Sequence, residues 1–170
     1  MAGILITLSR TNKLIVNESG GYLMSNIEKI LISSGWMPSR CINIDSYMEW
    51  FISEGYSPTE SIKRFLQEFG GLTISIPCKK RFDQGTATRK IIIDPEENGF
   101  EYEFIHKYNS YFKEQLFPIG TSESTIDYFM DTNGAIYAIF GDVGAKWGNS
   151  IYEVISRISN GDLLKFVSLY

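Results

Sequence analysis

The residues of this chain that could do acid–base or metal chemistry are few and scattered. The one histidine is His106, in an aromatic-rich segment without an evident catalytic partner. Asp127, Asp131 and Asp142 lie close enough in the sequence to suggest an acid–base pair or a metal site. Asp131 begins a turn-like segment, however, in which an Asp side chain accepts hydrogen bonds from the backbone. The pattern favours a structural Asp131, and it predicts no catalytic residues, no metal and no cofactor.

A glycine-rich segment, residues 141–148, has a position typical of a phosphate-binding loop, after a predicted strand and before a predicted helix. Its spacing differs from G-x-x-x-x-G-K-[ST], because Lys146 precedes the final glycine. An irregular crossing into the last helix is the simpler interpretation. Cys41 and Cys78 lack metal-ligand spacing, and we expect both thiols to be reduced and buried in the core.

The bulk composition indicates one domain that acts by binding. The chain has 170 residues, 44% of them hydrophobic, which suits a single domain with a substantial core. Its 16 basic and 20 acidic side chains give a net charge of −4, which argues against direct nucleic-acid binding and fits a basic partner. No apolar run approaches the roughly 20 residues that span a membrane. We expect a cytoplasmic protein, either a monomer or a weak homo-oligomer.

Apolar residues spaced three and four apart predict helices in the N-terminal half. The predicted helices are residues 22–34, a short helix capped by Asp45 or Ser46 and closed by Gly55, and a helix that ends at Gly70. The third has the clearest start, with Ser57 as N-cap, Pro58 as first helical residue and Glu60 completing a capping box.

The apolar period then changes from that of helices to two, which predicts strands. The predicted strands are residues 72–76, ending at Pro77, and residues 89–94, 100–105, 126–131 and 135–140. A short helix around Tyr108 precedes Pro118, and residues 131–134 suit the tight turn of a hairpin. Helices followed by strands predict an α+β fold with N-terminal helices, a mainly antiparallel sheet and a C-terminal helix.

The sequence pattern leaves the structure of the N-terminal residues open and predicts that of the C-terminal residues. Residues 1–21 are either an extension or a hairpin in which residues 4–8 pair with residues 14–16. Residues 22–170 are predicted to form one domain. Its last helix begins near Asn149, where Ser150 and Glu153 have capping-box spacing.

Charges and tryptophans suggest candidate binding features. Basic residues gather before acidic ones along one stretch: Lys79, Lys80, Arg81, Arg89 and Lys90, then Asp94, Glu96, Glu97, Glu101 and Glu103. The stretch is either a solvated hairpin or an interface that steers a charged partner. Trp36 and Trp50 are expected to pack between helices, so Trp147, set among glycines, is the best candidate for an exposed anchor.

Five short motifs in a fixed order resemble a known family. They are Gly35-Trp36-x-Pro38-x-Arg40, Phe65-Leu66-x-x-Phe69-Gly70-Gly71-Leu72, Ile93-Asp94-Pro95, Pro118-Ile119-Gly120 and Asp131-x-x-Gly134-x-Ile136-Tyr137. The combination resembles the third subgroup of the SUKH superfamily and runs from about Asn26 to Gly161. The resemblance implies a SUKH-like α+β domain that acts as a bacterial immunity protein of polymorphic or contact-dependent toxin systems.

Such proteins bind a cognate toxin domain, often a nuclease, and the resemblance carries over no catalytic residues. We expect occlusion of the toxin by acidic and aromatic side chains, which would meet a phosphate-binding surface. The predicted contacts are Glu101, Glu103, Glu123, Asp127, Asp142 and Trp147. One alternative is a non-catalytic regulatory or scaffold module, related to fungal cell-wall regulators. A small enzyme that uses Asp131 and Asp142 is the other.

Overall fold

The main sheet has seven strands that are neighbours in the same order as along the chain. The computed structural model describes residues 15–16, 22–23, 25–79, 86–99, 102–122 and 126–169. The elements are β1 (Ile15–Val16), β2 (Tyr22–Leu23), α1 (Asn26–Ser33), α2 (Asp45–Ser53), α3 (Glu60–Phe69), β3 (Thr73–Lys79), β4 (Thr86–Ile92), a 3₁₀ turn (Glu96–Asn98), α4 (Tyr102–Phe112), β5 (Leu116–Ser122), β6 (Asp127–Asp131), β7 (Ile136–Phe140), β8 (Val143–Gly148), α5 (Ile151–Asn160) and β9 (Val167–Ser168).

Each neighbouring pair of strands from β3 to β9 is antiparallel. The predicted α+β class, with N-terminal helices, an antiparallel sheet and a C-terminal helix, is confirmed. Among the described residues, two helices interrupt the strands of this sheet: α4 between β4 and β5, and α5 between β8 and the two-residue strand β9.

Helices cover both faces of the sheet at strands β7 and β8. Ile136 pairs with Gly148, which lies against Val154 of α5. Ile139 pairs with Gly144, which lies against Phe112 of α4. Because Ile136 and Ile139 are three apart on one strand, α5 and α4 pack on opposite faces. This explains why β7 is buried from its first residue to its fourth.

The helix ends follow local hydrogen bonding, which differs in part from the prediction. A capping box between Ser25 and Glu28 starts α1 at Asn26, four residues later than predicted. The helix begins there because the two residues of β2, Tyr22 and Leu23, are in an extended strand that pairs with β1. The predicted partner strand, residues 4–8, lies outside the described residues.

The predicted caps of α2 and α3 are wrong. Helix α2 begins at Asp45, so Asp45 is a helical residue and not the cap. The backbone N–H of Asp45 donates to Asn43 Oδ1 at 2.7 Å, and Asn43 thereby satisfies one of the unpaired N–H groups at the start of the helix. Thr59 has extended backbone angles, so α3 begins at Glu60 without a side-chain cap. The first turn of α3 is tied instead to the sheet, because Ser61 Oγ donates to the Thr132 carbonyl at 2.8 Å.

Three strand predictions also need correction. Residues 102–105, predicted as part of a strand, form the first turn of α4, and the short apolar run fitted either period. Strand β3 continues through Pro77, which an edge strand tolerates because its outward side needs no N–H. Residues 143–148, predicted to be irregular, form β8.

Candidate functional site

The first two family motifs meet around the side chain of Glu68. Its Oε1 accepts hydrogen bonds from Trp36 Nε1 and from the Tyr152 hydroxyl, each at 3.2 Å. The Arg40 guanidinium donates to the carbonyls of Glu68 and Gly70, at 2.7 and 2.8 Å, which satisfies acceptors at the end of α3. Burial, and then the nearby Glu68 carboxylate, raise the pKa of Tyr152. We call these residues the Glu68 cluster, and they hold the segment that follows α1 against α3 and α5.

The next two motifs bring backbones into close contact. The Gly71 N–H donates to the Ile93 carbonyl at 2.7 Å, and the Ile93 N–H donates to the Leu72 carbonyl at 2.9 Å. Gly120 lies so close to β4 that a Cβ atom there would be 1.8 Å from the Ile92 carbonyl oxygen. Only glycine permits this approach, at a φ of +151°. Both motifs therefore have structural roles.

The last motif builds the turn between β6 and β7 around Asp131. This carboxylate is 1% exposed. It accepts hydrogen bonds from the N–H groups of Asn133 and Ala135, at 2.8 and 2.9 Å, and from the Tyr137 hydroxyl at 3.1 Å. Gly134 closes the turn at a φ of +91°. The structural interpretation of Asp131 is confirmed.

A second carboxylate, Asp127, lies at the other end of β6. Strand β6 pairs Asp127 with Thr121 of β5 and with Ile139 of β7. Among the described residues, none donates a hydrogen bond to the half-buried Asp127 carboxylate and none forms an ion pair with it. Burial raises its pKa to about 6. Removing a carboxylate from water without a compensating partner disfavours its charged form.

The turn between β7 and β8 adjoins Asp127. It contains the predicted contact Asp142, whose side chain is exposed and whose carbonyl accepts the Leu169 N–H at 2.9 Å. We call Ile126, Asp127 and residues 140–143 the β7–β8 end of the sheet. Phe140, which the sequence did not suggest as a contact, is 52% exposed there. Phe140 precedes Gly141 in the sequence, and a glycine there marks the end of the strand. That position at a strand end is the one sequence feature that could have indicated an exposed Phe140.

Two of the other predicted contacts lie outside the described residues, namely Glu101 and Glu123. Glu103 is exposed on α4. Trp147, the best candidate among the tryptophans for an exposed anchor, is buried: it is 6% exposed, and its ring lies 5.6 Å from that of Tyr128. An irregularity in β8, where the pairing with β7 shifts register, places this side chain in the core.

The pairing proposed for an enzyme is not formed. Asp131 is four residues from Asp127 along β6, which is about 13 Å in an extended strand. Asp142 lies at the β7–β8 end, so Asp131 and Asp142 are too far apart to act on one group. The part of the chain that the structure describes contains no cluster of three or more His, Cys, Asp or Glu side chains suited to a metal.

Comparison with known proteins identifies the family. Within the described residues, no helix is long and apolar enough to cross a membrane. No curated protein and no solved structure matches the chain. A family model described as SUKH-3 immunity protein matches residues 23–161, which include all five motifs. The chain therefore belongs to the SUKH-3 immunity protein family.

Proposed function

We propose that this protein binds a cognate toxin domain in the cytoplasm and neutralises it by covering its working surface, without catalysing a reaction. The observation that carries the proposal is the family match over residues 23–161. The toxin is expected to be of the nuclease type. A nuclease needs a basic surface for phosphates, and this chain has a net charge of −4.

The proposed contact surface is the β7–β8 end together with the exposed Glu103 of α4. The Tyr108 hydroxyl donates to the Gly141 carbonyl at 3.2 Å, so α4 is fastened to this end of the sheet. Asp127, Asp142 and Glu103 supply negative charge there, and Phe140 supplies an exposed apolar group. Acidic groups on such a surface would speed encounter with a basic toxin and reject acidic partners. Glu101 and Glu123, next to this surface in sequence, remain predicted contacts.

The proposed function predicts that the gene for this chain lies beside a gene for a large secreted protein with a C-terminal toxin domain, and the experiment uses that neighbouring toxin domain. The toxin domain is expressed alone and with the protein, and growth and complex formation are measured. We expect growth to be rescued and a stable complex to be isolated. Reversing the charge of Glu103 and Asp142 together should weaken the complex, mainly by slowing association at low salt.

The controls separate this function from its alternatives. Reversal of Glu49, an exposed acidic residue of α2, should leave affinity unchanged. If neither rescue nor a complex is observed with the neighbouring toxin domain, the immunity function is contradicted. Equal affinity after charge reversal at Glu103 and Asp142 would contradict the proposed surface and leave the function intact.

A further inference from the structure

We propose that Asp127 is the anchor of the toxin interface, and that it receives a Lys or Arg side chain of the toxin domain in a partly desolvated site. This inference rests on the proposed function and names the chemistry of its principal contact. The other described acidic residues of that surface, Glu103 and Asp142, are exposed.

The geometry distinguishes Asp127 from a structural carboxylate. Register places it beside Thr121 and Ile139 on one face of the sheet, with Phe129 two residues further along the same strand. Of these neighbours, Ile139 and Phe129 are fully buried. Asp131, on the same strand and face, accepts three hydrogen bonds. The Asp127 carboxylate, which has no donor among the described residues, is therefore held in an apolar setting in which an incoming cation would interact strongly.

No cation of the described chain is placed to fill this role. The charged residues and the histidine on the surrounding elements are Arg89 and Lys90 on β4, Asp131 on β6, Lys146 on β8, Asp142 in the turn, and Glu103, His106 and Lys107 on α4. Arg89 acts on Tyr128, whose side chain lies on the opposite face of β6 from that of Asp127. Lys107 lies 4.8 Å from the ring centre of Tyr108, and Lys146 lies 5.9 Å from that of Tyr137. Burial is the one cause of the raised pKa of Asp127, so these charges act on it only weakly.

Charge complementarity identifies the occupant. A half-buried carboxylate without a partner is stabilised by a positive charge that brings its own hydrogen-bond donors, as a Lys or Arg side chain does. Binding should couple to a proton, because the free carboxyl group is partly protonated near pH 6 and the ion-paired form is not. The affinity should therefore fall as the pH is lowered through 6.

The test measures the affinity of the same neighbouring toxin domain, in an inactivated form, for three proteins. They are the wild type, Asp127→Asn and the control Glu49→Gln. At pH 7 we expect Asp127→Asn to bind about 30-fold more weakly or worse, as expected when one member of a desolvated charge pair is removed. Glu49→Gln should bind as the wild type does.

The pH dependence of the wild-type affinity is an independent measurement, because it does not depend on whether a variant folds. Between pH 7 and pH 5 we expect the affinity to fall about tenfold, as for a group whose pKa of about 6 drops well below 5 in the complex. Asp127→Asn should lose this dependence. Carboxyl NMR of Asp127 should show its pKa falling when the toxin domain binds.

The outcomes separate this inference from the proposed function. A wild-type complex that Asp127→Asn matches within threefold would overturn the anchor, as would an Asp127 pKa that binding leaves unchanged, and either would leave the immunity function standing. Failure of the wild type itself to bind the toxin domain would overturn both.

Discussion

The two ends of β6 carry the same residue type in opposite circumstances. At one end, Asp131 is 1% exposed and three donors satisfy its carboxylate. At the other, Asp127 is half-buried and its pKa is raised to about 6 by burial. A carboxylate that stabilises the fold is hydrogen-bonded within the chain, whereas one left without a partner costs stability. Burial of an acidic residue therefore does not by itself indicate a structural role.

The same contrast extends to the family motifs and the β7–β8 end. Trp36, Arg40 and Gly70 belong to the Glu68 cluster, and Gly120 lies against the β4 backbone. These residues identify the family, and their polar groups are occupied by contacts inside the domain. The β7–β8 end instead exposes Phe140 and Asp142. The residues that identify the family therefore differ from those of the proposed toxin-binding surface.

The largest expected loss of stability comes from adding a side chain at Gly120, a glycine of the fourth family motif. Gly120→Ala would place a Cβ atom 1.8 Å from the Ile92 carbonyl oxygen, which forces β4 and β5 apart. We expect a loss of about 4 kcal/mol or more in the free energy of unfolding, or failure to fold. Gly141→Ala is the matched control at the β7–β8 end, because its Cβ would have nothing within 4 Å.

Gly141 has a φ of +55°, so its replacement should cost about 1 kcal/mol. Urea denaturation of both variants makes the comparison. Equal losses would show that the motif glycine has no special structural role.

The next largest loss of stability is expected at Asp131, whose carboxylate is hydrogen-bonded within the chain. Asp131→Ala removes the acceptor of three hydrogen bonds and leaves the buried Ala135 N–H without its side-chain partner. We expect the free energy of unfolding to fall by about 3 kcal/mol. Tyr137→Phe removes one of these bonds and should cost about 1 kcal/mol. A loss below that of Tyr137→Phe would contradict the structural role of Asp131.

The smallest expected effect is a gain in stability, at Asp127. Asp127→Asn should raise the free energy of unfolding at pH 7 by about 1 kcal/mol, because the variant avoids burying a charge; the figure is reduced for partial exposure to water. The folded-state pKa of about 6 lies above the unfolded value of about 3.9, so charging Asp127 destabilises the fold above pH 6.

The advantage of Asp127→Asn over the wild type should therefore shrink as the pH is lowered from 6 to 4. Thermal or urea denaturation across this range provides the measurement. Destabilisation at pH 7 would mean that Asp127 has a stabilising partner within the chain.

The sequence predicted those parts of the molecule that local chemistry determines. The β6–β7 turn followed from an Asp and a Gly three residues apart, and the α5 cap followed from Ser150 and Glu153. The start of α3 could not be predicted, because Ser61 is fixed by the distant carbonyl of Thr132. Long-range contacts of this kind leave no local pattern.

The candidate site was predicted less completely, for two reasons. Trp147 was the best candidate for an exposed tryptophan, but a register shift in β8 places its side chain in the core. The proposed rank of Asp127 above Asp142 depends on which neighbours bury Asp127 and on the absence of a donor to it among the described residues. Both properties arise only when β5, β6 and β7 are aligned, so the residue types alone could not rank them.

Hydrogen–deuterium exchange of the protein, with and without the neighbouring toxin domain, tests most directly whether the β7–β8 end is the toxin-binding surface. Binding should slow exchange in residues 126–130 and 139–144 and leave exchange in residues 35–41 and 66–72 unchanged. Protection of the second pair of segments, with none at the β7–β8 end, would contradict this assignment of the surface.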